Sequence, residues 1–248
     1  MAITVRWTGM KTFVATETRV QIHEWLAIAT GSLVQAALLV FVWVLNKDLL
    51  APALIGALIY SVFLIGQRVL NEAAYIRIDH KLNELYHASP MTPESYFLGM
   101  SLGILIAYLP PVVVLTFLLE LVRPIDAATL GALVGGLLAV WAFSSTLGYY
   151  ISTLFRDMKT IWPYSSLLTN LFGIVPPVFY GIHFVDPALR AVVLAIPTSS
   201  AVALVEGVAG METLSSAEYL LAGGSLAVEA LLLLAFGLYW ARRTAREV

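Results

Sequence analysis

The chain has 248 residues, 60 % of them hydrophobic, 12 % charged and none cysteine, with formal charge −2 and mean hydropathy +0.86. Ordinary soluble domains are about one quarter charged, so the surroundings of this chain are expected to be largely lipid. Disordered, nucleic-acid-binding and disulfide-scaffold classes fit poorly, and Cys chemistry is excluded outright.

Residues 1–24 carry Arg6, Lys11, Glu17, Arg19 and Glu24 without a continuous apolar core. They do not read as a cleaved signal. Val5, Trp7, Met10, Phe13 and Val14 recur at a roughly helical interval. The expectation is an amphipathic interfacial helix with Trp7 and Trp25 at headgroup depth.

Six apolar runs follow, at 25–46, 49–67, 95–119, 127–155, 160–185 and 219–241. Each is long enough to cross a hydrocarbon core about 30 Å thick as a helix. None alternates as a barrel strand does. The expected fold is therefore all-α and integral to a membrane, with six transmembrane helices in one domain. Pro110 and Pro111 are expected to kink the third span. Gly99 and Gly103, and Gly131 and Gly135, are spaced as small packing residues. A shorter apolar stretch within 188–205 contains Pro197 and reads as a re-entrant external segment.

Six spans place both ends of the chain on one side, together with every basic residue except Lys47, Arg123 and Arg190. The positive-inside rule makes that side cytoplasmic. Between spans two and three, residues 71–87 lack Pro and Gly, and Ile78, Leu82, Leu85 and Tyr86 share a helical face. This is a short helix at the cytoplasmic surface. It serves either as a cover for the bundle base or as a docking surface for a soluble partner. Thr92, Pro93 and Glu94 form a helix start for span three.

Here the chain resembles the permease subunits of type-2 ABC exporters, closest in look to the drug and bacteriocin types. The resemblance is carried by Arg68, Asn71 and Glu72, then Asn83-Glu84-Leu85 and Ala88-Ser89-Pro90. A second block runs from Phe155-Arg156-Asp157 through Val175-Pro176-Pro177-Val178-Phe179-Tyr180 and Asp186-Pro187-Ala188-Leu189-Arg190 to Ile196-Pro197-Thr198. The paired prolines depart from the single one common in that family and are expected to unwind the outer end of span five.

The resemblance implies a plasma-membrane exporter working as a dimer, with itself or with a related permease, and with two ATPase subunits. The N-terminal helix becomes a connecting helix. The coupling helix seated on the ATPase would present Arg77, Asp79, Lys81, Asn83, Glu84, Leu85, Tyr86 and His87. The chain has no phosphate-binding Gly-x-x-x-x-Gly-Lys-Ser/Thr loop, so ATP and Mg would belong to the partner. This chain itself would be no enzyme and hold no cofactor or metal. Its membrane lipid is a further partner; nucleic acid is not.

The substrate-pathway candidates are Tyr164, Thr169, Asn170, Phe172, Pro176, Pro177, Phe179 and Tyr180 of span five, with Glu229, the one acid well inside a span. Such a set suits an amphipathic small molecule, lipid or peptide. Plain helix packing through small and polar residues is the alternative for span five. A protonated, hydrogen-bonded acid is the alternative for Glu229. Two other functions remain open: an ion-coupled secondary transporter or channel using Glu229, and an intramembrane lipid-modifying enzyme.

Overall fold

The protein is described here from a computed structural model, which covers residues 7–78 and 91–244. Among these residues the regular structure is entirely helical. In chain order the helices are α1 (Trp7–His23), α2 (Trp25–Leu45), α3 (Leu50–Ile78), α4 (Pro93–Ala107), α5 (Leu109–Val122), α6 (Ala127–Leu154), α7 (Met158–Thr169), α8 (Pro187–Val193), α9 (Pro197–Val208) and α10 (Ser216–Thr244). A single π turn, Asn170–Ile174, extends α7.

Four of these elements are long and apolar enough to cross a membrane. The number rises to six if two bent pairs each count as one span: α4 with α5, bent by 50°, and α8 with α9, bent by 110°. Local chemistry sets the helix starts. Thr92 caps α4 by accepting from the Ser95 amide, with Pro93 in the first turn. Asp126 caps α6 at 2.8 Å from the Thr129 amide, and Asp186 caps α8 at 2.8 Å from that of Ala188.

The break between α4 and α5 falls at Tyr108, just before Pro110 and Pro111. Proline supplies no amide to the preceding turn and crowds its carbonyls, so the bend precedes the ring.

Helix α3 is the centre of the packing. Leu54, Ile55, Leu58, Ile59, Phe63 and Leu70 are fully buried along it. It crosses α6 where Gly66 lies against Ser144 and Ser145, and Gly148 lies against the backbone of Leu70. Small residues let the two backbones approach this closely. The second apolar run does not end at Gln67: α3 continues unbroken to Ile78, so residues 71–78 extend this helix. The rest of the expected coupling helix, including Asp79, Lys81, Asn83, Glu84, Leu85, Tyr86 and His87, lies outside the described residues.

Helix α1 lies along α4. Met10, Phe13, Glu17 and Gln21 form its buried face. Phe13 and Met10 fit against Gly99, and Glu17 against Gly103, so this glycine pair is a packing seat. Gly131 and Gly135 face open space. Trp7 and Trp25 are exposed.

One end of the bundle, here the α1 face, gathers the ends of α3, α6 and α10 with the starts of α4 and α7. Glu94 and Arg242 form a buried ion pair there. The Trp240 indole donates to Thr153 Oγ1 at 2.9 Å. Arg77 donates to the carbonyls of Ser152, Thr153 and Phe155. These are among the last carbonyls of α6, which have no partner within their own helix.

The fifth apolar run is not one helix. Its helical part ends at Ile174, and 175–181 has no regular structure. Pro176 and Pro177 remove two consecutive amide donors, so the helical ladder stops there although Val175 itself keeps helical φ and ψ (−65°, −42°). At the end opposite the α1 face, this segment meets α3 at Gly56, whose backbone lies against the Val178 carbonyl. The Thr198 hydroxyl of α9 donates to the Phe172 carbonyl. Helix α9 is buried along most of its length, with Ala201 against Gly136 of α6.

Candidate functional site

Inside the bundle, toward the α1 face, α2, α3, α5 and α7 enclose a half-open cleft of about 230 Å³. Its polar wall contains Ser32, Gln35, Ser61, Gln67, Arg68, Asn71, Ser165 and Thr169, with Tyr108 at the α4–α5 break. Ile28, Leu64, Ile65, Pro111 and Val112 supply the apolar wall. On α3 the polar positions 61, 67, 68 and 71 alternate with apolar 64 and 65 at three- and four-residue steps. That spacing puts them on one side of the helix.

Gln67 ties the second apolar run to the fifth. Its amide nitrogen donates to the Ser165 carbonyl, and its oxygen accepts from the Thr169 hydroxyl at 2.8 Å. Thr169 Oγ1 also lies 3.0 Å from the Ser165 carbonyl. Gln35 on α2 accepts from the Ser61 hydroxyl at 2.9 Å. Replacing Gln67 with Leu removes both links from α3 to α7. The expected loss is about 1–2 kcal/mol, the scale of interhelical hydrogen bonds inside membranes, read as a lower midpoint in detergent-denaturant titration. An unchanged midpoint would show that the α3–α7 contact does not depend on these bonds.

Arg68 lies over the Tyr108 ring, 4.5 Å from its centroid, and reaches the half-exposed Glu24 at 3.7 Å. Two atoms of the lining, Asn71 Oδ1 and the Tyr108 hydroxyl, are buried with no hydrogen-bond partner. Buried polar groups are normally satisfied, so the cleft has spare hydrogen-bonding capacity.

Beside the cleft, the Gln21 amide nitrogen of α1 donates to Glu17 at 3.0 Å and to Glu72 of α3 at 3.1 Å. One amide thus bridges two carboxylates across a helix contact. Burial, followed by the neighbouring Glu72 charge, pushes the Glu17 carboxyl up to about 7, against the opposing pull of the Gln21 hydrogen bond. Among the described residues, no group of three or more His, Asp or Glu side chains forms a metal-binding arrangement.

The structure separates the residues that the sequence grouped as a pathway. Thr169 alone of them lines the cleft. Phe172 packs near Phe143 and Phe63, with centroids 5.1 and 6.3 Å away, and Phe179 packs 5.4 Å from Tyr60. Pro176 and Pro177 are buried beside them. Tyr164 is exposed with its ring against Phe155, and Asn170 is exposed at the start of the π turn. Tyr180 is exposed and its hydroxyl donates to the Val175 carbonyl at 3.0 Å. Glu229 stands half-buried on α10, away from the cleft lining, with Oε2 buried and unpartnered. Arg77, placed by the sequence among the coupling residues, is bound to the end of α6.

Gln35, Gln67, Arg68, Asn71 and Tyr108 were not among the expected pathway residues. Their signal is present in the chain as polar residues at helical spacing inside or beside apolar runs. Compared with known proteins, the chain matches no protein-family model and no curated protein.

Proposed function

We propose that this chain is the membrane subunit of an ATP-driven exporter that moves an amphipathic small molecule, lipid or peptide across the plasma membrane. It works as a dimer with two separate ATPase subunits, which bind ATP and Mg. The observation that carries the transport reading is the polar cleft set among apolar helices beside the shortened fifth run. Polar and irregular elements at membrane depth are tolerated where they are buried in protein or line a cavity. The cleft is walled by residues of four helices.

The choice of ATP as the energy source rests on the ordered resemblance, from Arg68 through Ser89-Pro90 to Pro197-Thr198. On this reading the α1 face is cytoplasmic, α1 is the connecting helix, and residues to His87 form the coupling segment. The bent α8–α9 pair is the external re-entrant element. Nucleotide-driven closure of the ATPases pushes on the coupling segment, and the helices around the cleft shift in response.

Glu229 sustains a second reading, an ion-coupled transporter, because one oxygen of its carboxyl is buried without a partner. One reconstitution separates the two. The chain is placed in liposomes with and without an ABC ATPase that co-purifies with it, and flux is followed in wild type, Glu229→Gln and a Glu84→Ala/Leu85→Ala double variant. Export predicts flux only with ATPase and ATP, retained in Glu229→Gln. In the double variant substrate-stimulated hydrolysis and flux are expected to be lost from an intact complex. A full pumping cycle by the isolated chain, driven by an ion gradient and abolished in Glu229→Gln, would overturn export in favour of the second reading.

A further inference from the structure

The cleft has a chemical polarity that identifies the kind of head group it takes. Among the described residues, Arg68 is the one charged side chain in its lining and no acid lines it. A guanidinium carries five N–H donors in a fixed fork. The ion pair of Arg68 with Glu24 is a 3.7 Å contact to a side chain 56 % exposed, which uses little of that capacity. The Tyr108 side chain is 8 % exposed, and its hydroxyl is buried without a partner. The guanidinium and the ring are already stacked, so two donors are held together before any ligand arrives. Glu72 lies one helical turn from Arg68 on the same face of α3, beside the cleft and not in its lining, and its carboxylate, like that of Glu17, accepts from the Gln21 amide.

The remaining wall is apolar, and the flanking helices α2 and α5 expose Leu33 and Val113.

We propose that this cleft binds an amphiphile with an anionic phosphate or carboxylate head, held by the Arg68 guanidinium and the Tyr108 hydroxyl, with its chain along Leu64, Ile65 and Val112. Charge-assisted bonds from a guanidinium fork to such oxyanions are the strong class of hydrogen bond. A cationic head meets Arg68 as a like charge. The proposal rests on the export reading only for what becomes of the ligand after it binds.

The test uses the purified chain in a neutral maltoside detergent, titrated with dodecyl phosphate or with dodecyltrimethylammonium, which share one tail. Binding is read by calorimetry and by the rise in unfolding midpoint that a native-state ligand produces. Dodecyl phosphate is expected to bind saturably and dodecyltrimethylammonium not to bind. Arg68→Gln should weaken dodecyl phosphate by about ten-fold or more, Arg68→Lys by less, and Tyr108→Phe by about three-fold. Equal binding of the two head groups, or unchanged affinity in Arg68→Gln, overturns the proposal. Should Arg68→Gln fail to fold, head-group selectivity in wild type together with the loss in Tyr108→Phe decides the matter.

A second arm places the chain in nanodiscs of phosphatidylcholine with or without phosphatidic acid. Competition by phosphatidic acid identifies a bilayer lipid as the source of the anionic head. Undiminished dodecyl phosphate binding identifies a single-chain amphiphile. No arm contains an ATPase, so loss of binding leaves export standing, and failure of ATP-driven flux leaves the binding site standing.

Discussion

Gly66→Ala is expected to destabilise the bundle by about 3 kcal/mol, the upper part of the range for overpacked positions. The added methyl would overlap Ser144 Oγ and lie 2.8 Å from the Ser145 amide nitrogen. The hydroxyl can rotate away, but the backbone of α6 cannot. Relief requires α3 and α6 to separate, which loosens the packing of Gly148 against Leu70 and opens the most extensive helix–helix contact among the described residues. Gly131→Ala on α6 is the matched control, because nothing lies within 4 Å of its added methyl. There the gain in helix propensity should stabilise by up to about 1 kcal/mol. Unfolding midpoints of both variants in detergent check the pair. Equal shifts would mean that the α3–α6 crossing is not held by close backbone approach.

The second large effect is a pH dependence at the α1–α3 contact. The Glu17 carboxyl is raised from 4.5 to about 7 in the folded protein. The folded state therefore holds this proton more tightly than the unfolded state does. Its stabilising contribution is complete below about pH 4.5, is lost as pH rises through 7, and stays lost above that. The full span corresponds to about 3 kcal/mol. The groups facing Glu17 are Gln21 on its own helix, Glu72 on α3 and Glu24 at the end of α1. Glu17→Gln removes the titration and keeps a polar partner for Gln21. Its advantage over wild type should be near zero at pH 4.5 and reach about 3 kcal/mol by pH 8. A difference between the two proteins that does not change with pH would show that Glu17 titrates normally.

The helical, membrane-type class was legible because it depends on long apolar runs alone. So was the break in the third run, since paired prolines act on the turn before them whatever surrounds them. The buried face of α1 was half legible. Met10 and Phe13 announced themselves, but Glu17 and Gln21 carry no apolar signal, and only Gly103 and Glu72 across from them place them on that face. The second run was closed after Gln67 by the charge of Arg68, which is read as though it had to leave the lipid. In the folded protein Gln67 faces Ser165 and Thr169, and α3 runs on past it to Ile78. The fifth run is broken where its paired prolines were expected to unwind it, and the unwound part takes in everything from 175 to 181. Its residues are apolar enough to cross, yet Pro176 and Pro177 break the helix beyond Ile174. The cleft was not legible from one run at a time, because its walls come from four helices. Glu229 drew notice as a lone acid, whereas Arg68 entered only through the family resemblance and Tyr108, in the middle of the third run, was not singled out.

The tight seat at Gly66 divides α3 into two arms of nearly equal reach. Gly56 lies ten residues to one side and Arg77 eleven to the other, each about 15–17 Å away at 1.5 Å per residue. A stiff rod pinned near its middle behaves as a seesaw. Were α3 to pivot at this seat, a sideways displacement of the Arg77 end would reach Gly56 with reversed direction and similar size, and with it the Val178 segment packed there.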